Sequence, residues 1–367
     1  MSLHVIHVIT TIDLGGAEKQ LLTLATCQKL NGSKVEIIFL KDEPRLLKQF
    51  LEGGILVDTE FSKLSFFGQI RKLRAKKDLD GVVFHAHLPR AELLCALSLK
   101  NGSFIVSRHN AENFFPMGPK LFSKLLSRFV LKRAFALISI SQAVSTFLRA
   151  TSELGAQARN EIIPYGIETS QIRQSERGVL NSNCIKLGTV SRLVHQKNIP
   201  LLLKAMQKLT ADRSYEWSLQ IVGVGPLLEE LQSLSCKLGI QDSVDWLGQM
   251  PKIEDFYKNL DVFVLTSDYE GFGLVLLEAM SAGIPVIARN ISAIPEVLGS
   301  DHPGLINSDN PSEFAVRISK LAMSKELCLN FLKHQSRQLS HFSIERAEIT
   351  HRALYKELLA EQEMRSF

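Results

Sequence analysis

The chain has 367 residues, of which 45% are hydrophobic and 22% charged, with a formal net charge of +5 at pH 7. This composition excludes a disordered protein, and the length suits two domains better than one. No apolar run reaches the ~20 residues that span a bilayer. The first residues, MSLHVIHVITT, lack a cationic leader, so we interpret them as a first strand and not as a signal peptide.

The cysteines and the charge distribution indicate the cellular compartment and the kind of partner. Five cysteines are scattered without a CxxC spacing, which favours reduced thiols in a cytoplasmic protein over disulfides or a zinc site. Residues 1–165 carry 22 Lys and Arg against 14 Asp and Glu, whereas residues 166–367 carry 21 against 24. The basic first half suggests an anionic partner, which could be an acidic substrate, a membrane surface or nucleic acid.

The first half alternates short β-branched runs with helical patterns. Strands are predicted at HVIHVIT, KVEIIFL, GVVFHAH, SFIVSRH and ALISIS, with amphipathic segments such as AEKQLLTLATCQKL between them. Continuous apolar strands separated by helices indicate a parallel sheet that is covered on both faces. A polar stretch around residues 166–184 follows, and its lack of periodicity predicts a linker.

The same pattern begins again after this stretch, with strands predicted at IKLGTVS, SLQIVGVG, SVDWLG, DVFVLTS and IPVIARN. The predicted fold class is therefore α/β, with two doubly wound Rossmann-like domains facing a cleft. We place an N-terminal domain at residues 1–165, a C-terminal domain at residues 166–345, and a helix at residues 346–367 that crosses back to the first domain. Ligands of such sheets bind at the carboxyl ends of the strands.

The most informative motif is SDYEGFGLVLLEAMSAGIPVIA, which places Glu270 on a loop and Glu278 inside the following helix. A carboxylate among apolar residues needs hydrogen-bond donors, and sugar hydroxyls are good donors. The helix start at Gly273 and Leu274 offers backbone N–H groups and a positive dipole end to an anion. The alternative is a helix whose partly buried Glu pairs with a nearby cation, but the Gly-Phe-Gly between the glutamates favours a site for a sugar and a diphosphate.

Two further loops follow predicted strands. In SRLVHQKN, Arg192 and Lys197 could clamp a diphosphate, although two basic residues near a strand end are commonly plain surface charges. In DLGGAEKQ, Gly15 and Gly16 let the backbone approach a ligand at a helix start, unless they form only a tight turn. This second loop is not a P-loop, because no Gly-Lys-Ser/Thr follows.

Other glycines and histidines carry weaker signals. Gly223 and Gly225 resemble a dinucleotide fingerprint whose third glycine is missing, so we interpret them as a tight strand–helix turn. His85 and His87 form an HxH pair, but no third metal ligand is evident from spacing, and structural roles are favoured. His109 follows a strand at the mouth of the predicted cleft, where it could touch a substrate hydroxyl.

A basic amphipathic helix is predicted at residues 118–135. Its cations repeat every four residues and form one stripe: Lys120, Lys124, Arg128 and Lys132. Leu121, Leu125 and Phe129 lie beside this stripe. Such a helix can lie on anionic lipid, although a solvated face over a packed one is the commoner explanation. Nucleic-acid binding is not predicted, because no aromatic residues alternate with the basic ones, either here or at RKLRAKK (residues 71–77).

Taken together, these motifs resemble the retaining GT-B glycosyltransferases of family 4. The resemblance rests on the residues just described, listed here in chain order: Gly15, Gly16, His109, Arg192, Lys197, Glu270, Phe272, Gly273, Leu274 and Glu278. It covers almost the whole chain. Two positions depart from the family pattern: Asn198, where glycine is frequent, and Tyr165, where asparagine is frequent.

The resemblance implies a role for each site residue. Glu278 would bind the ribose of a nucleotide-diphosphate sugar, with Arg192 and Lys197 on its diphosphate. The residues that would contact the sugar and its nearest phosphate are Glu270, Phe272, Gly273 and Leu274. Gly16, next to Gly15, would approach the diphosphate from the other domain, and His109 would face the transferred sugar. No metal or other cofactor is implied, and the catalytic set would be His109, Arg192, Lys197 and Glu270.

The expected reaction is transfer of a hexose, with a UDP-sugar favoured as donor, to a glycan or lipid-linked acceptor in bacterial surface glycan or glycolipid assembly. Because no residue is an obvious nucleophile, front-face attack with retention of configuration is predicted. The expected location is cytoplasmic, possibly at the inner face of the membrane. A nucleotide-sugar epimerase of the same fold and a non-catalytic sugar-nucleotide or lipid-binding module stay open as alternatives.

Overall fold

The computed structural model describes residues 3–77, 79, 81–115, 118–155, 158–168, 184–212, 215–250 and 252–365. Internal contacts divide the chain into two compact units. The N-terminal unit comprises Met1–Glu168 and Phe342–Phe367, and the C-terminal unit comprises Thr169–His341. Most of the predicted linker, residues 169–183, lies outside the described residues.

The N-terminal unit contains a parallel sheet whose seven described strands have the order β3-β2-β1-β4-β5-β6-β7. The strands are β1 (His4–Ile9), β2 (Lys34–Phe39), β3 (Leu56–Asp58), β4 (Val82–His87), β5 (Phe104–Arg108), β6 (Ala136–Ser139) and β7 (Asn160–Ile162). The helices between them are α1 (Gly16–Leu30), α2 (Leu47–Glu52), α3 (Phe66–Arg74), α4 (Pro89–Ser98), α5 (Lys120–Arg133) and α6 (Gln142–Ala150). Both faces of the central strands are buried, which explains their continuous apolar runs.

The C-terminal unit contains a second parallel sheet, whose described strands have the order β10-β9-β8-β11-β12-β13. The strands are β8 (Cys184–Val190), β9 (Glu216–Val222), β10 (Val244–Gly248), β11 (Val262–Leu265), β12 (Val286–Arg289) and β13 (Leu305–Ile306). The helices are α7 (Ile199–Ala211), α8 (Leu228–Lys237), α9 (Ile253–Lys258), α10 (Leu274–Ser281), α11 (Ile294–Leu298), α12 (Pro311–Met323) and α13 (Lys325–Leu339).

The last helix, α14 (Ile344–Arg365), belongs to the N-terminal unit. Its buried residues, among them Ile344, Leu354 and Leu358, join an apolar cluster with Val5 of β1 and Val83 of β4. One face of α14 thus completes a core begun by the first strand. No described helix is both long and apolar enough to cross a bilayer.

The predicted α/β class is confirmed, and each predicted strand is present. Three short strands were not predicted: β3, β7 and β13. All three lie at sheet edges. The two sheets also share one feature that positions the candidate site. Strand order reverses between β1 and β4 in the first sheet and between β8 and β11 in the second. Ligands of open parallel sheets bind at such reversals, outside the carboxyl ends of the strands.

Candidate functional site

Two loops of the C-terminal unit meet at the reversal between β8 and β11. Residues 191–198 follow β8, and residues 266–273 follow β11. The backbone N–H of Asp268 donates to the carbonyl of Gln196 at 2.8 Å, and the Gln196 side chain donates to the carbonyl of Tyr269 at 2.9 Å. The two predicted motifs therefore form one continuous surface at the position where such a sheet binds ligands.

Lys197 and Glu270 form an ion pair at the centre of this surface. The Lys197 ammonium lies 2.7 Å from Oε1 and 2.9 Å from Oε2 of Glu270, and the two side chains are 14% and 8% exposed. The Ser267 hydroxyl donates to Oε1 of the same carboxylate at 2.7 Å. The Ser292 hydroxyl donates to the Glu270 carbonyl at 2.8 Å. The family resemblance assigns Lys197 to the diphosphate and Glu270 to the sugar, whereas in the structure the two side chains are in direct contact.

The cations of the first loop keep hydrogen-bonding capacity for a ligand. An ammonium has three N–H donors, and the two oxygens of Glu270 engage two of those on Lys197. Arg192 is exposed, and among the described residues it makes no ion pair. An exposed guanidinium and the third ammonium donor are the groups that could bind an anion here.

Glu278 lies on α10 and is half-buried. Its Oε2 accepts a hydrogen bond of 2.8 Å from the Tyr257 hydroxyl of α9. Burial, followed by the neighbouring carboxylate, raises the pKa of Tyr257 well above its usual value, so the phenol stays a donor. Within the described part of the chain, no side chain bonds to the other carboxylate oxygen, which leaves an acceptor for a ligand hydroxyl.

The start of α10 has the geometry of an anion site. Gly273 stands at the N-cap with φ +94°, a left-handed conformation that favours glycine, and it provides no side-chain cap for the first turn. Phe272 is buried, and Leu274 begins the helix. The first-turn N–H groups and the positive end of the helix dipole are therefore presented next to the Glu270 loop.

Asn198 explains one departure from the family pattern. Its φ is +44° and its ψ is 46°, a left-handed conformation that glycine and asparagine adopt more readily than other residues. Its amide also donates to Asp268 at 2.9 Å, and Arg289 of β12 pairs with the same carboxylate. Sequence reasoning missed Asp268 and Arg289, because their partners come from three separate loops.

Gly223 and Gly225 support the site through close packing. A Cβ on Gly223, whose φ is +139°, would lie 1.8 Å from the backbone oxygen of Ser191, and one on Gly225 would lie 2.4 Å from that of Leu193. Both glycines are therefore required for the loop after β9 to pack against the loop after β8. This contact explains the Gly-x-Gly spacing without a dinucleotide.

In the N-terminal unit, Gly15 and Gly16 occupy the turn between β1 and α1. The carboxylate of Glu18 lies against this turn: a Cβ on Gly15 would be 2.2 Å from its Oε2, and the Thr11 hydroxyl donates to its Oε1 at 2.7 Å. The start of α1 thus already has an acidic side chain beside it. The approach of Gly16 to a diphosphate stays a prediction.

His109 directly follows β5 and is half-buried. One ring nitrogen lies 3.1 Å from His87, and the other makes a short hydrogen bond with the Tyr165 hydroxyl. Spacing alone reveals no third ligand beside His85 and His87, but in the structure His7 of β1 lies next to them. The preference for structural roles of this pair stays a prediction. Ligand atoms of these three buried histidines lie within 4.8 Å of one another. His7 was missed because it is 80 residues away from His87 in the chain.

Helix α5 is oriented differently from the common amphipathic arrangement. Its buried residues are Ser123, Ser127, Val130 and Leu131. The apolar residues beside the cationic stripe are instead exposed, with values of 68% for Leu121, 57% for Leu125 and 39% for Phe129. The helix has a packed face, as the commoner explanation expects, but Leu121, Leu125 and Phe129 lie on its exposed side together with most of the cations.

Polar contacts hold α5 in this orientation. The Arg108 guanidinium donates to the Ser127 hydroxyl at 3.1 Å, and the Ser123 hydroxyl accepts from the backbone of Phe115 at 2.8 Å. Arg108 is itself buried between Glu92, at 2.7 Å, and Glu153, at 3.2 Å. Because Ser123 and Ser127 occupy the inward-facing positions of the first turns, Leu121 and Leu125 lie on the outer side of the helix.

Comparison with known proteins agrees with this geometry. The family model "Glycosyl transferases group 1" matches residues 170–337, and the model "Glycosyltransferase Family 4" matches residues 14–171. The crystal structure of Anabaena HepE in complex with UDP and glucose has a TM-score of 0.81, 18% sequence identity, and coverage of 97% of this chain and 100% of that one. At this identity the likeness shows the fold alone.

Two curated relatives are 31% identical over part of the chain. The lipopolysaccharide core biosynthesis mannosyltransferase of Rhizobium meliloti matches over 194 residues, which is 49% of this chain and 53% of the relative. The GDP-mannose-dependent alpha-(1-6)-phosphatidylinositol monomannoside mannosyltransferase of Mycobacterium tuberculosis matches over 258 residues, 65% of each protein. The chain thus spans between about half and two thirds of these relatives.

The two parallel sheets, each with a reversal of strand order, have the GT-B fold. The chain belongs to the glycosyltransferases of this fold, since residues 14–171 match the Glycosyltransferase Family 4 model and residues 170–337 match the Glycosyl transferases group 1 model.

Proposed function

We propose that the chain transfers a hexose from a nucleotide-diphosphate donor, with a UDP-sugar favoured, to an acceptor hydroxyl. The observation that carries the proposal is the contact between Lys197 and Glu270 at the reversal of the second sheet, one loop away from Glu278. Arg192 and the third donor of Lys197 would bind the diphosphate, together with the start of α10. The free oxygen of Glu278 would accept from the ribose.

In the proposed reaction the anomeric bond breaks as negative charge develops on the departing nucleoside diphosphate. Lys197 and the first turn of α10 would stabilise this charge, since they are already held in place before the reaction, and the exposed Arg192 guanidinium would add to this stabilisation once it binds the diphosphate. Glu270 would keep the ammonium at a fixed position and present its second oxygen towards the sugar. No residue is assigned as a nucleophile, so we propose front-face attack with retention, in which the leaving phosphate accepts the proton of the acceptor hydroxyl.

Transfer assays with a panel of labelled nucleotide sugars test this function, with UDP-glucose and GDP-mannose both included because relatives or structural neighbours carry those names. We expect transfer from one donor and an α-linked product if the donor is α-linked. Replacing Lys197 by Met should lower kcat by about 10²–10³-fold, the effect of losing one preorganised donor. The matched control is Lys204→Met, at an exposed lysine of α7. Full activity of Lys197→Met would contradict the proposal, and epimerisation without an acceptor would favour an epimerase.

A folding control separates catalysis from stability at this pair. Removing Lys197 alone leaves the buried carboxylate of Glu270 without its counter-ion, and breaking a buried pair in this way costs about 3–5 kcal/mol. The double variant Lys197→Met, Glu270→Gln removes both charges, so its melting temperature should recover while its transfer rate stays low. If stability and rate recover together, the pair is structural and the catalytic role fails.

We further propose that α5 docks the N-terminal unit on an anionic membrane surface, where a glycan or lipid-linked acceptor would be found. Exposed Leu121 and Leu125 would enter the interface, while Lys120 and Lys132 would face lipid phosphates. The buried serines of α5 support this proposal, because with Ser123 and Ser127 facing inward Leu121 and Leu125 stay exposed.

Vesicle sedimentation tests the docking surface. We expect binding to phosphatidylglycerol vesicles at low salt, weaker binding at high salt, and little binding to phosphatidylcholine. Leu121→Ser with Leu125→Ser should reduce binding by at least tenfold, because each buried leucine contributes about 1.5–3 kcal/mol. Phe67→Ser is the matched control, since Phe67 is 82% exposed on another helix of the same unit. Equal losses in both variants would refute a role specific to α5.

A further inference from the structure

Five side chains form a continuous hydrogen-bonded row through the N-terminal unit, and we call them the histidine array: Gln28, His7, His87, His109 and Tyr165. Nε2 of His7 lies 2.9 Å from Oε1 of Gln28, and Nδ1 of His7 lies 2.9 Å from Nε2 of His87. Nδ1 of His87 lies 3.1 Å from Nε2 of His109, whose Nδ1 meets the Tyr165 hydroxyl. His7 and His87 are almost completely buried.

The direction of these hydrogen bonds follows from the first one. An amide oxygen can only accept, so the proton of neutral His7 is on Nε2, and its Nδ1 must accept. His87 then donates from Nε2 and accepts at Nδ1, which makes His109 a donor from Nε2. The remaining nitrogen of His109 accepts from the phenol of Tyr165. Each of the three histidines thus has one nitrogen that donates and one that accepts.

The other end of the Gln28 amide orients a second branch. Its NH2 group donates to the Tyr355 hydroxyl of α14 at 3.3 Å. The buried phenol proton of Tyr355 finds its acceptor at Nδ1 of His85, 2.8 Å away, and His85 then donates from Nε2 to the Ser107 hydroxyl at 2.8 Å. Because one amide supplies the acceptor for one branch and the donor for the other, its orientation sets the tautomers of both.

The array is built to stay neutral. Burial lowers the pKa of His7 to about 4 and that of His87 well below its usual value. His109 is less buried, and its pKa is lowered by burial first and then by the positive charge of Arg108 and by His351. The groups that face the far end of the array are these two residues and Glu18, which interacts with Tyr165.

Metal binding is the competing role for these histidines, because the imidazoles of His7, His85 and His87 lie close enough together to bind one ion. Each ring nitrogen of His7, His85 and His87 already has a hydrogen-bond partner from the protein. The group contains no carboxylate to balance a divalent charge, which is costly to bury. A cavity of about 20 Å³ beside His87, His109 and His351 has room for roughly one water molecule, and none for a sugar ring.

We propose that Gln28 is a positioning residue that acts through His7 and His87 to hold His109 as the neutral tautomer with its proton on Nε2. This inference rests on the proposed function and on the expectation from the family resemblance that His109 faces the transferred sugar. Both nitrogens of His109 are engaged by the protein, so it presents a ring of fixed orientation and charge. It does not exchange a proton with the substrate, and turnover should not depend on its titration.

Histidine tautomers can be read directly by ¹⁵N-resolved NMR of the full chain labelled at histidine. In the wild type we expect His7, His87 and His109 to be neutral with the proton on Nε2 between about pH 8 and pH 5.5, where an exposed histidine would titrate. His85 should show the same tautomer. Mixed tautomers at His109, or its titration near the ordinary value, would overturn the proposal.

Gln28→Glu provides the second arm, because it changes one donor into an acceptor without changing shape. Tyr355 must then donate to Glu at position 28, and His85 must move its proton from Nε2 to Nδ1. An unchanged His85 tautomer in the folded variant would overturn the proposal. Gln207→Glu, at an exposed glutamine of α7, is the matched control and should leave all tautomers unchanged. Stoichiometric Zn²⁺ binding that shifts the His7, His85 and His87 signals would also overturn it, in favour of a metal site.

The transfer reaction gives a readout that a structural role would not affect. The kcat of the wild type should be independent of pH between about 5.5 and 8 with respect to His109, whereas Gln28→Glu should gain an acidic limb as the carboxylate draws a proton onto the array. A flat profile in the variant would refute the link between the array and turnover. If no donor is turned over at all, the proposed function fails, while the NMR result still decides the array.

Discussion

Acid should destabilise the N-terminal unit well before the C-terminal unit. Burial lowers the pKa of both His7 and His351 to about 4, and these side chains are only 0% and 7% exposed. In the unfolded chain the same groups titrate near 6.5. Because the folded pKa is the lower one, the unfolded state binds more protons as the pH falls below about 6.5, and stability is lost. Above about pH 7.5 the two histidines have no effect.

The size of this effect follows from linkage. Near pH 5.5 the folded groups are still neutral, whereas about ten in eleven of the unfolded ones are charged, so each histidine costs about 1.4 kcal/mol. His7 and His351 together cost about 3 kcal/mol, and the lowered pKa values of His85, His87 and His109 add to the loss in the same direction. Glu92 acts in the opposite direction, because its pKa of about 7 lets the folded state take up a proton in this pH range, and it offsets about 2 kcal/mol of the loss. In the C-terminal unit, only His302 is lowered to about 4 among the described residues, which costs about 1.4 kcal/mol.

The two units can be followed separately. Both tryptophans, Trp217 and Trp246, lie in the C-terminal unit, so their fluorescence reports its unfolding. Hydrogen exchange of β4 (Val82–His87), measured by mass spectrometry, reports the opening of the N-terminal unit. Between about pH 7.5 and pH 5.5 the opening free energy of β4 should fall by at least about 3 kcal/mol, and the urea midpoint of the tryptophan signal should fall much less. Equal losses in the two units, or no loss at β4, would refute the reasoning.

Three further substitutions test other contacts. Burial raises the pKa of Glu92 to about 7, although the positive charge of Arg108 lowers it. The contribution of Glu92 to the free energy of unfolding therefore falls as the pH rises from about 4.5 through 7. Relative to wild type, the free energy of unfolding of Glu92→Gln should increase across that range, as measured by urea titration. Tyr257→Phe removes the donor to Glu278 and should weaken nucleotide-sugar binding about tenfold by calorimetry, since a hydrogen bond to a charged group contributes about 1.5–3 kcal/mol. Because Arg192 is exposed, Arg192→Ala should change the free energy of unfolding by no more than about 0.5 kcal/mol. It should nevertheless lower kcat by about 10²–10³-fold, and an unchanged kcat would count against the diphosphate clamp.

The sequence predicts the sheets well, because a strand that is buried on both faces must be apolar throughout. The run of β11 carries this signal at full length, and those of β1 and β4 carry it apart from their histidines. The edge strand β13 has only two residues, Leu305–Ile306, and β3 and β7 have three each, which is too short for any periodicity to appear. Edge strands are defined by their neighbours in space, and their own residues say little.

In the candidate site, too, the sequence predicts individual residues but not their contacts. The positions of Lys197 and Glu270 follow from their strands, but their mutual contact depends on the order of strands in the sheet, which the sequence does not reveal. Tyr257 comes from the helix before β11, and nothing local marks it as the partner of Glu278. Helical periodicity predicts that α5 is amphipathic without showing which face is buried, and it is Arg108 beneath the helix that selects the serine face.

The central claim is that the C-terminal unit binds the nucleotide-sugar donor where β8 and β11 diverge. Calorimetric titration of the full chain with UDP-glucose and GDP-mannose, in parallel for wild type, Glu278→Gln and the exposed control Glu229→Gln of α8, tests it most directly. The account predicts that one donor binds the wild type and the control with equal affinity. The same donor should bind Glu278→Gln at least tenfold more weakly, because a hydrogen bond from the ribose to an ionised carboxylate contributes about 1.5–3 kcal/mol. Binding that is unaffected by Glu278→Gln, or no binding of any nucleotide sugar, would contradict it.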